Sequence, residues 1–267
     1  MRRVLPVLAA LGVSVLAWAA TPADTPRLVD GRPDLNGTWD NGGGIDFVRP
    51  QLREDGSLCI SGCAPAPPAA AGAPAAPAAR PPPDRPRYRP EHQARVEDLR
   101  RRQQREDPVL RCQPPGVPRI GPPDKIVHTT REVVFLYEDV SGPFFRIVPL
   151  RPGVKRADDS ESYLGDAEGH WEGDTLVVVT RNFNDLTWLT DDGAFHTTDL
   201  KVTERLTRRG NEIEYAAVVE DPAVLAESWR PRPRRMVLTE VEMAEPAPCV
   251  EQDLEHMVDD SFHANPR

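Results

Sequence analysis

LKVTERLTRRGNEIEYAAVVE, residues 200–220, carries the pattern on which the fold turns. Successive side chains of a strand point to opposite sides, so Leu200, Val202, Glu204 and Leu206 share one face while Lys201, Thr203, Arg205 and Thr207 share the other. Arg208-Arg-Gly-Asn211 breaks the run, and its glycine tolerates the positive φ of a tight hairpin. Beyond it Ile213, Tyr215 and Val219 fall on one face again. Strands at 200–208 and 212–220 follow. Further short strands are expected at about 126–130, 132–139, 143–150, 167–171, 174–182 and 235–243, with Trp171-Glu-Gly-Asp-Thr175 as a second hairpin turn. An earlier strand begins at Gly37-Thr38-Trp39, and Gly42-Gly43-Gly44 ends or bulges it. Strands this close together, with no long helix between them, pair as an antiparallel meander. The expected fold is mainly β, a barrel or strongly curved sheet.

The same parity places four polar residues on apolar faces. Glu204 and Tyr215 are two; Arg146 joins Phe144 and Val148, and His128 joins Ile126. If the strands close, these four converge on one cavity. Two roles stay open, a ligand site or an Arg–Glu pair that plugs a barrel end.

At the N-terminus Arg2 and Arg3 precede an apolar run over residues 4–17, and Ala17, Ala19 and Ala20 offer a small-residue cleavage site. This pattern predicts a signal peptide over residues 1–20 and a protein released to the periplasm or secreted. The run is too short for a comfortable membrane span, so no stable membrane anchor is expected. The formal net charge of −9 repels phosphate backbones and anionic lipid, which argues against nucleic-acid binding. Arg100, Arg101, Arg102 and Arg105 are interleaved with Glu97, Asp98, Glu106 and Asp107, as on a solvated helix face.

Four cysteines in an exported chain allow three complete pairings. If Cys59 and Cys63 close a local loop, Cys112 must join Cys249, a long closure that contributes about 4 kcal/mol in the chain-entropy model. The spacing lacks the paired C-x-x-C of zinc sites, so no metal is expected. Between an N-terminal arm with the first strand (21–63) and the rest lies a Pro/Ala-rich linker or insert over 64–90, which favours extended surface geometry. Residues 91–124 read as a surface helix (91–106) and a Pro-rich loop. The barrel core then runs over 125–250, with a tail over 251–267.

"GRPDLNGTW" (31–39), "CQPPGVPR" (112–119), "DKIVHTTREVVFLYED" (124–139), "YLGDAEGHWEGDTLVVVTRNFNDLTWL" (163–189) and "VTERLTR" (202–208) together resemble a widespread family of uncharacterised exported bacterial proteins. That resemblance covers most of the chain outside the Pro/Ala stretch and implies no particular activity. Gly37-Thr38-Trp39 also looks like the G-x-W signature of lipocalin-like calycin barrels, in which the Trp meets a basic residue of the last strand. The resemblance assigns that partner to Arg234 or Arg235. The chain departs from the pattern in lacking a T-D-Y motif, and fold similarity alone does not fix function.

Candidate chemistry concentrates between Tyr163 and His196. Tyr163, His170, Trp171, Asn184, Asp185, Trp188 and His196 supply aromatic faces that bury substrate area and polar groups that orient it. The sequence holds no G-x-S-x-G elbow, phosphate loop or dinucleotide fingerprint, so no cofactor is expected. Side chains alone suffice for elimination, hydration, isomerisation or cyclisation. The expected catalytic set is Glu204, His196, Asp185 and Tyr163, with Trp171, Trp188, Arg146, His128, Tyr215 and Asn184 binding a small, apolar or aromatic molecule. Two readings stay open: a cofactor-independent enzyme (lyase, hydratase, isomerase or cyclase), or a periplasmic carrier that binds such a ligand without catalysis. For the Asn and Asp residues the plain alternative is a turn bonded to its own backbone.

Overall fold

A computed structural model describes residues 24–42, 51–52, 58–59, 84–154, 158–245 and 248–249. The expected signal peptide, most of the Pro/Ala stretch, Cys63 and the tail lie outside the described residues.

Nine strands form one antiparallel sheet that curls into a nearly closed barrel. In chain order the strands are β1 (Gly37–Asp40), β2 (Gln51–Leu52), β3 (Leu58–Cys59), β4 (Lys125–His128), β5 (Glu132–Asp139), β6 (Gly142–Pro149), β7 (Asp166–Glu172), β8 (Thr175–Arg181), β9 (Lys201–Arg209), β10 (Glu212–Glu220) and β11 (Arg234–Thr239). β2 and β3 pair only with each other. The barrel order is β6-β5-β4-β1-β11-β10-β9-β8-β7. Two meanders, β4 to β6 and β7 to β11, are therefore joined through β1, which pairs Thr38 with Thr239 on one side and Gly37 with Ile126 on the other.

The expected strands at 132–139 and 212–220 are found with those bounds, and the others begin or end within a residue or two. The exception is the last, which stops at Thr239 rather than 243. The expected surface helix is broken into α1 (Gln93–Arg101) and α2 (Gln103–Glu106). Gly173 and Gly210 take φ of +59° in the two anticipated hairpin turns, a conformation that disfavours any residue with a Cβ.

Nine is odd, so in a sheet whose neighbours all alternate, the two outermost strands, β6 and β7, run in the same direction. The link between them, residues 150–165, must then travel back along the barrel, since parallel neighbours cannot share a hairpin. β6 and β7 approach at Gly169, where a Cβ would sit 2.8 Å from Val148 and 2.9 Å from Leu150. They are not paired by a ladder. This seam positions the site described below.

The barrel interior is filled by Trp39, Phe135, Tyr137, Leu176, Leu206 and Met236, all essentially inaccessible. Each large apolar side chain so buried stabilises the fold by about 2 kcal/mol. A second cluster, with Phe183, Trp188, Leu189, Phe195 and Trp229, packs loops against Val202 and Val219, which lie on the inward faces of β9 and β10 beyond Glu204 and Tyr215, and Val96 and Leu99 of α1 rest on it. Cys112 and Cys249 form a disulfide with Cα atoms 5.7 Å apart. The other expected pair, Cys59 with Cys63, lies outside what is described.

One expected contact is replaced. The basic residue against Trp39 is Arg208 of β9, with Cζ 5.0 Å from the ring centroid, not Arg234 or Arg235. Arg234 donates to the Asn41 carbonyl, and Arg235 is exposed and paired with Glu212. Arg208 shares the inward parity of Glu204, two turns of the pleat away.

Candidate functional site

The inward face of β9 brings Glu204 opposite β6. Arg146 donates to both carboxylate oxygens of Glu204, Nη1 at 3.0 Å and Nη2 at 2.6 Å, with both side chains almost fully buried. Tyr215 Oη donates to Glu204 Oε1 at 2.9 Å. Arg146 also donates to Tyr137 Oη at 3.1 Å and to Thr180 Oγ1 at 2.8 Å. Burial drives the Tyr215 phenol well above its ordinary value, and the Tyr137 phenol upward for the same reason. A bidentate pair supported by three hydroxyls, those of Tyr137, Thr180 and Tyr215, is an arrangement that lets two charges stay buried. The network ties β6 to β8, β9 and β10 through the interior, on the side of the barrel where β6 lacks a ladder to β7.

His128 is not part of this network. Its backbone N–H donates to Asn36 Oδ1 at 2.7 Å and its ring stacks on Trp171 with centroids 5.5 Å apart. Side-chain parity assigns a residue to a face but not to a height along the barrel, so parity alone groups His128 with Arg146. Burial lowers the His128 pKa.

The remaining candidates occupy different surroundings. His196 is buried in the second cluster, where Nδ1 meets the Thr197 carbonyl at 3.0 Å and Nε2 meets Thr187 Oγ1 at 2.7 Å. A carbonyl only accepts, so Nδ1 carries the proton and the neutral ring accepts from Thr187 through Nε2. Burial lowers its pKa. Asp185 is exposed, and Asn184 Oδ1 accepts from the Leu186 N–H at 3.2 Å as a turn residue does. Trp188 is buried beneath Arg119, whose Cζ lies 5.9 Å from its ring centroid, and His170 is exposed beside Glu172 at 3.3 Å. Among the described residues Glu204, His196, Asp185 and Tyr163 share no hydrogen-bond partner.

Tyr163 borders a cleft of about 900 Å³ at the seam between β6 and β7. Its apolar wall is Phe145 and Ile147 of β6, 65% and 49% exposed, with Val154 at 50% from the returning link. Its polar wall carries Asp159, Asp166, Glu168 and Arg181, and Arg146 also lines it. Asn182, at φ +59°, shapes that wall by donating from Nδ2 to Asp166 Oδ2 at 2.8 Å and to the carbonyls of Asp159 and Ser160 at 3.2 Å each. Asparagine enters this left-handed region more readily than most residues.

Phe145, Ile147, Val154, Glu168 and Arg181 were not among the sequence candidates. The signal for two of them was present: GPFFRIVP is apolar on both faces, unlike a strand with one wet side. No group of three or more His, Cys, Asp or Glu side chains among the described residues is placed to hold a metal ion.

Fold and site together define a class, a nearly closed nine-stranded β-barrel with a ligand-sized cleft at its one unpaired seam. Comparison with protein-family models, with curated proteins and with solved structures finds no match.

Proposed function

We propose that this protein binds a small apolar or aromatic molecule in the β6–β7 cleft and acts outside the cytoplasm as a carrier or binding protein. One observation carries the reading: two large apolar side chains, Phe145 and Ile147, stand exposed on a barrel strand and face into a cleft of about 900 Å³. That volume is within the range of ligand pockets, roughly 300–1,000 Å³, and an apolar wall with a few convergent polar groups is their usual lining. The acid and base candidates favour binding over turnover. Of Glu204, His196, Asp185 and Tyr163, only Tyr163 borders the cleft, and the Glu204 carboxylate is occupied by Arg146 and Tyr215.

The test is a fluorescence titration with N-phenylnaphthylamine against wild type and a Phe145→Ser/Ile147→Ser variant, whose changes sit on exposed positions and leave the core intact. Saturable binding that weakens about tenfold or more in the variant supports the reading, as expected for lost apolar burial on two side chains. Equal affinity for both proteins removes the cleft as the site. Mass spectrometry of a ligand co-purified from the native host reports the remaining choice, since conversion to a product would restore the enzyme reading.

A further inference from the structure

The outer face of the β4–β5–β6 meander is apolar where a barrel ordinarily meets water. Strand register sets Val127, Val134 and Ile147 side by side across the three strands, and Leu136 beside Phe145 in the neighbouring row. Val127 is 41% exposed, and Phe145 and Ile147 more so. The outward row of β9 is by contrast Lys201, Thr203, Arg205 and Thr207. A contiguous apolar patch confined to one side of a molecule marks a surface that something covers. The chain itself runs toward this face. Beyond β11, Glu242 pairs with Lys125 of β4 at 2.6 Å and the Ala244 N–H donates to Glu138 of β5 at 2.6 Å, the second contact one strand nearer to β6. Cys249 is then fastened to Cys112, two residues before Pro114 on the cleft wall. The sequence that follows, VEQDLEHMVDDSF (250–262), places Val250, Leu254, Met257, Val258 and Phe262 at the spacing of one helix face, with Gln252, His256, Asp259 and Asp260 on the other side. As a helix this stretch is about 20 Å long, enough to cross the roughly 10 Å from β4 to β6.

We propose that residues 250–262 dock on this face as an amphipathic helix, setting Leu254, Met257 and Phe262 against Phe145, Ile147 and Val127, and so form a tethered lid over the mouth of the β6–β7 cleft. The tether decides for this occupant over a second copy of the chain. A segment held beside its receiving surface meets it at an effective concentration of about millimolar, which a free partner must match to compete. The polar side of the helix faces water, so no charge is buried in the contact. The docking itself needs only the exposed face and holds whether or not the cleft binds a ligand. Where it does, a molecule entering along Phe145 and Ile147 has to displace the lid.

Amide hydrogen exchange of the oxidised full chain, read by mass spectrometry, tests the docking without any ligand. Isolated helices shorter than about 12–15 residues are marginal in water, so slow exchange over 250–262 requires a surface to rest on. These amides are expected to exchange at least about tenfold more slowly in wild type than in Leu254→Ser/Met257→Ser/Phe262→Ser, whose changes lie beyond the bridge. Phe145→Ser/Ile147→Ser alters the receiving side instead and is expected to release the segment to the same extent. Sedimentation velocity on the same samples identifies the occupant. A monomeric wild type whose 250–262 amides are protected supports the proposal. Free exchange over 250–262 in wild type, or protection that persists in Phe145→Ser/Ile147→Ser, overturns it. A wild-type dimer that Phe145→Ser/Ile147→Ser dissociates, with 250–262 exchanging freely throughout, gives the face to a second copy and overturns it too. N-phenylnaphthylamine titration keeps the lid and the cleft apart. The variant altered at 254, 257 and 262 is expected to bind the dye about tenfold more tightly than wild type, and saturable binding of equal affinity overturns the lid. Failure of both proteins to bind the dye removes the cleft reading, while exchange alone then decides the docking.

Discussion

The Arg208 guanidinium lies over the indole of Trp39, Cζ 5.0 Å from the ring centroid, and joins β9 to a strand three places away in the sheet. Neither side chain has room to move. Trp39 is 1% exposed and donates from Nε1 to the Leu35 carbonyl at 3.1 Å. Arg208 is 5% exposed, donates from Nε to the Gly210 carbonyl at 2.8 Å, and reaches the Asp34 carbonyl through Nη1. The N-terminal segment is thereby pinned across one end of the barrel, where Arg27 adds a two-pronged bond to Asp174 at 2.9 and 2.6 Å. A desolvated cation over an indole is worth about 2 kcal/mol.

Arg208→Met keeps the volume and removes the charge and the donors. It is expected to lower unfolding stability by about 3 kcal/mol, the cation–π contribution together with two carbonyls left without a donor. Arg209, the exposed neighbour, is the control: Arg209→Met should stay within about 0.5 kcal/mol of wild type. Urea unfolding of both variants measures the difference. Equal effects would mean that Arg208 does not pin the N-terminal segment to the barrel end.

The Arg146–Glu204 pair makes a sharper statement, because its two partners fail differently apart and together. Removing one partner strands a buried charge, so Arg146→Met or Glu204→Leu alone is expected to cost about 3–5 kcal/mol. The double variant is expected to cost less than either single one, since no charge is then left buried. A double-mutant cycle by chemical denaturation reads the coupling directly. Losses that simply add would mean that the pair is not what holds β6 to the far wall.

Much of this arrangement is legible in the sequence, and the boundary between legible and hidden is physical. Strands such as 212–220 follow from local alternation and a glycine turn, both of which are properties of neighbours in the chain. The meeting of Arg146 with Glu204 and Tyr215 follows from parity once the strands close. What parity does not carry is displacement along the barrel axis, and so His128, on an inward face, stands with Trp171 and Asn36 instead. Nor does it carry non-local pairing: nothing in Gly37-Thr38-Trp39-Asp40 says that this strand lies between β4 and β11. The cleft is hidden for the same reason. It is a gap between two strands that fail to pair, and only the double-sided apolar run at Phe144-Phe145-Arg146-Ile147-Val148 hints at it.

The disulfide closes a sequence separation of 137 residues. Restricting an unfolded chain over so long a loop stabilises the folded state by about 4 kcal/mol in the entropic account. Cys112→Ser/Cys249→Ser is expected to lower the thermal midpoint by roughly 10 °C, given about 2–4 °C per kcal/mol for a domain of this size. Calorimetry of wild type in oxidising and reducing buffer, beside the variant, checks it. A midpoint insensitive to both reductant and substitution would show that the bridge contributes nothing to stability.

His196 sets a pH dependence whose sign follows from its surroundings. Its neutral ring satisfies both nitrogens, donating from Nδ1 to the Thr197 carbonyl and accepting at Nε2 from the Thr187 hydroxyl. Protonation adds a charge in a buried site and turns the accepting nitrogen into a donor. Burial accordingly lowers its folded-state pKa, as it does for His128. A folded pKa below the unfolded one means that the unfolded chain binds more protons as acid is added. Stability is then complete above the ordinary histidine value of about 6.5 and declines as pH falls from there toward the lowered folded value. Unfolding free energy measured by urea between pH 8 and pH 5 should be flat at the alkaline end and drop below about pH 6.5. The drop should be shallower in His196→Gln, which offers neutral donor and acceptor groups but cannot titrate. A wild-type curve that stays level to pH 5, or a variant curve of the same shape, would mean that the ring is accessible to protons in the folded state and that the Thr187 and Thr197 contacts do not hold it neutral.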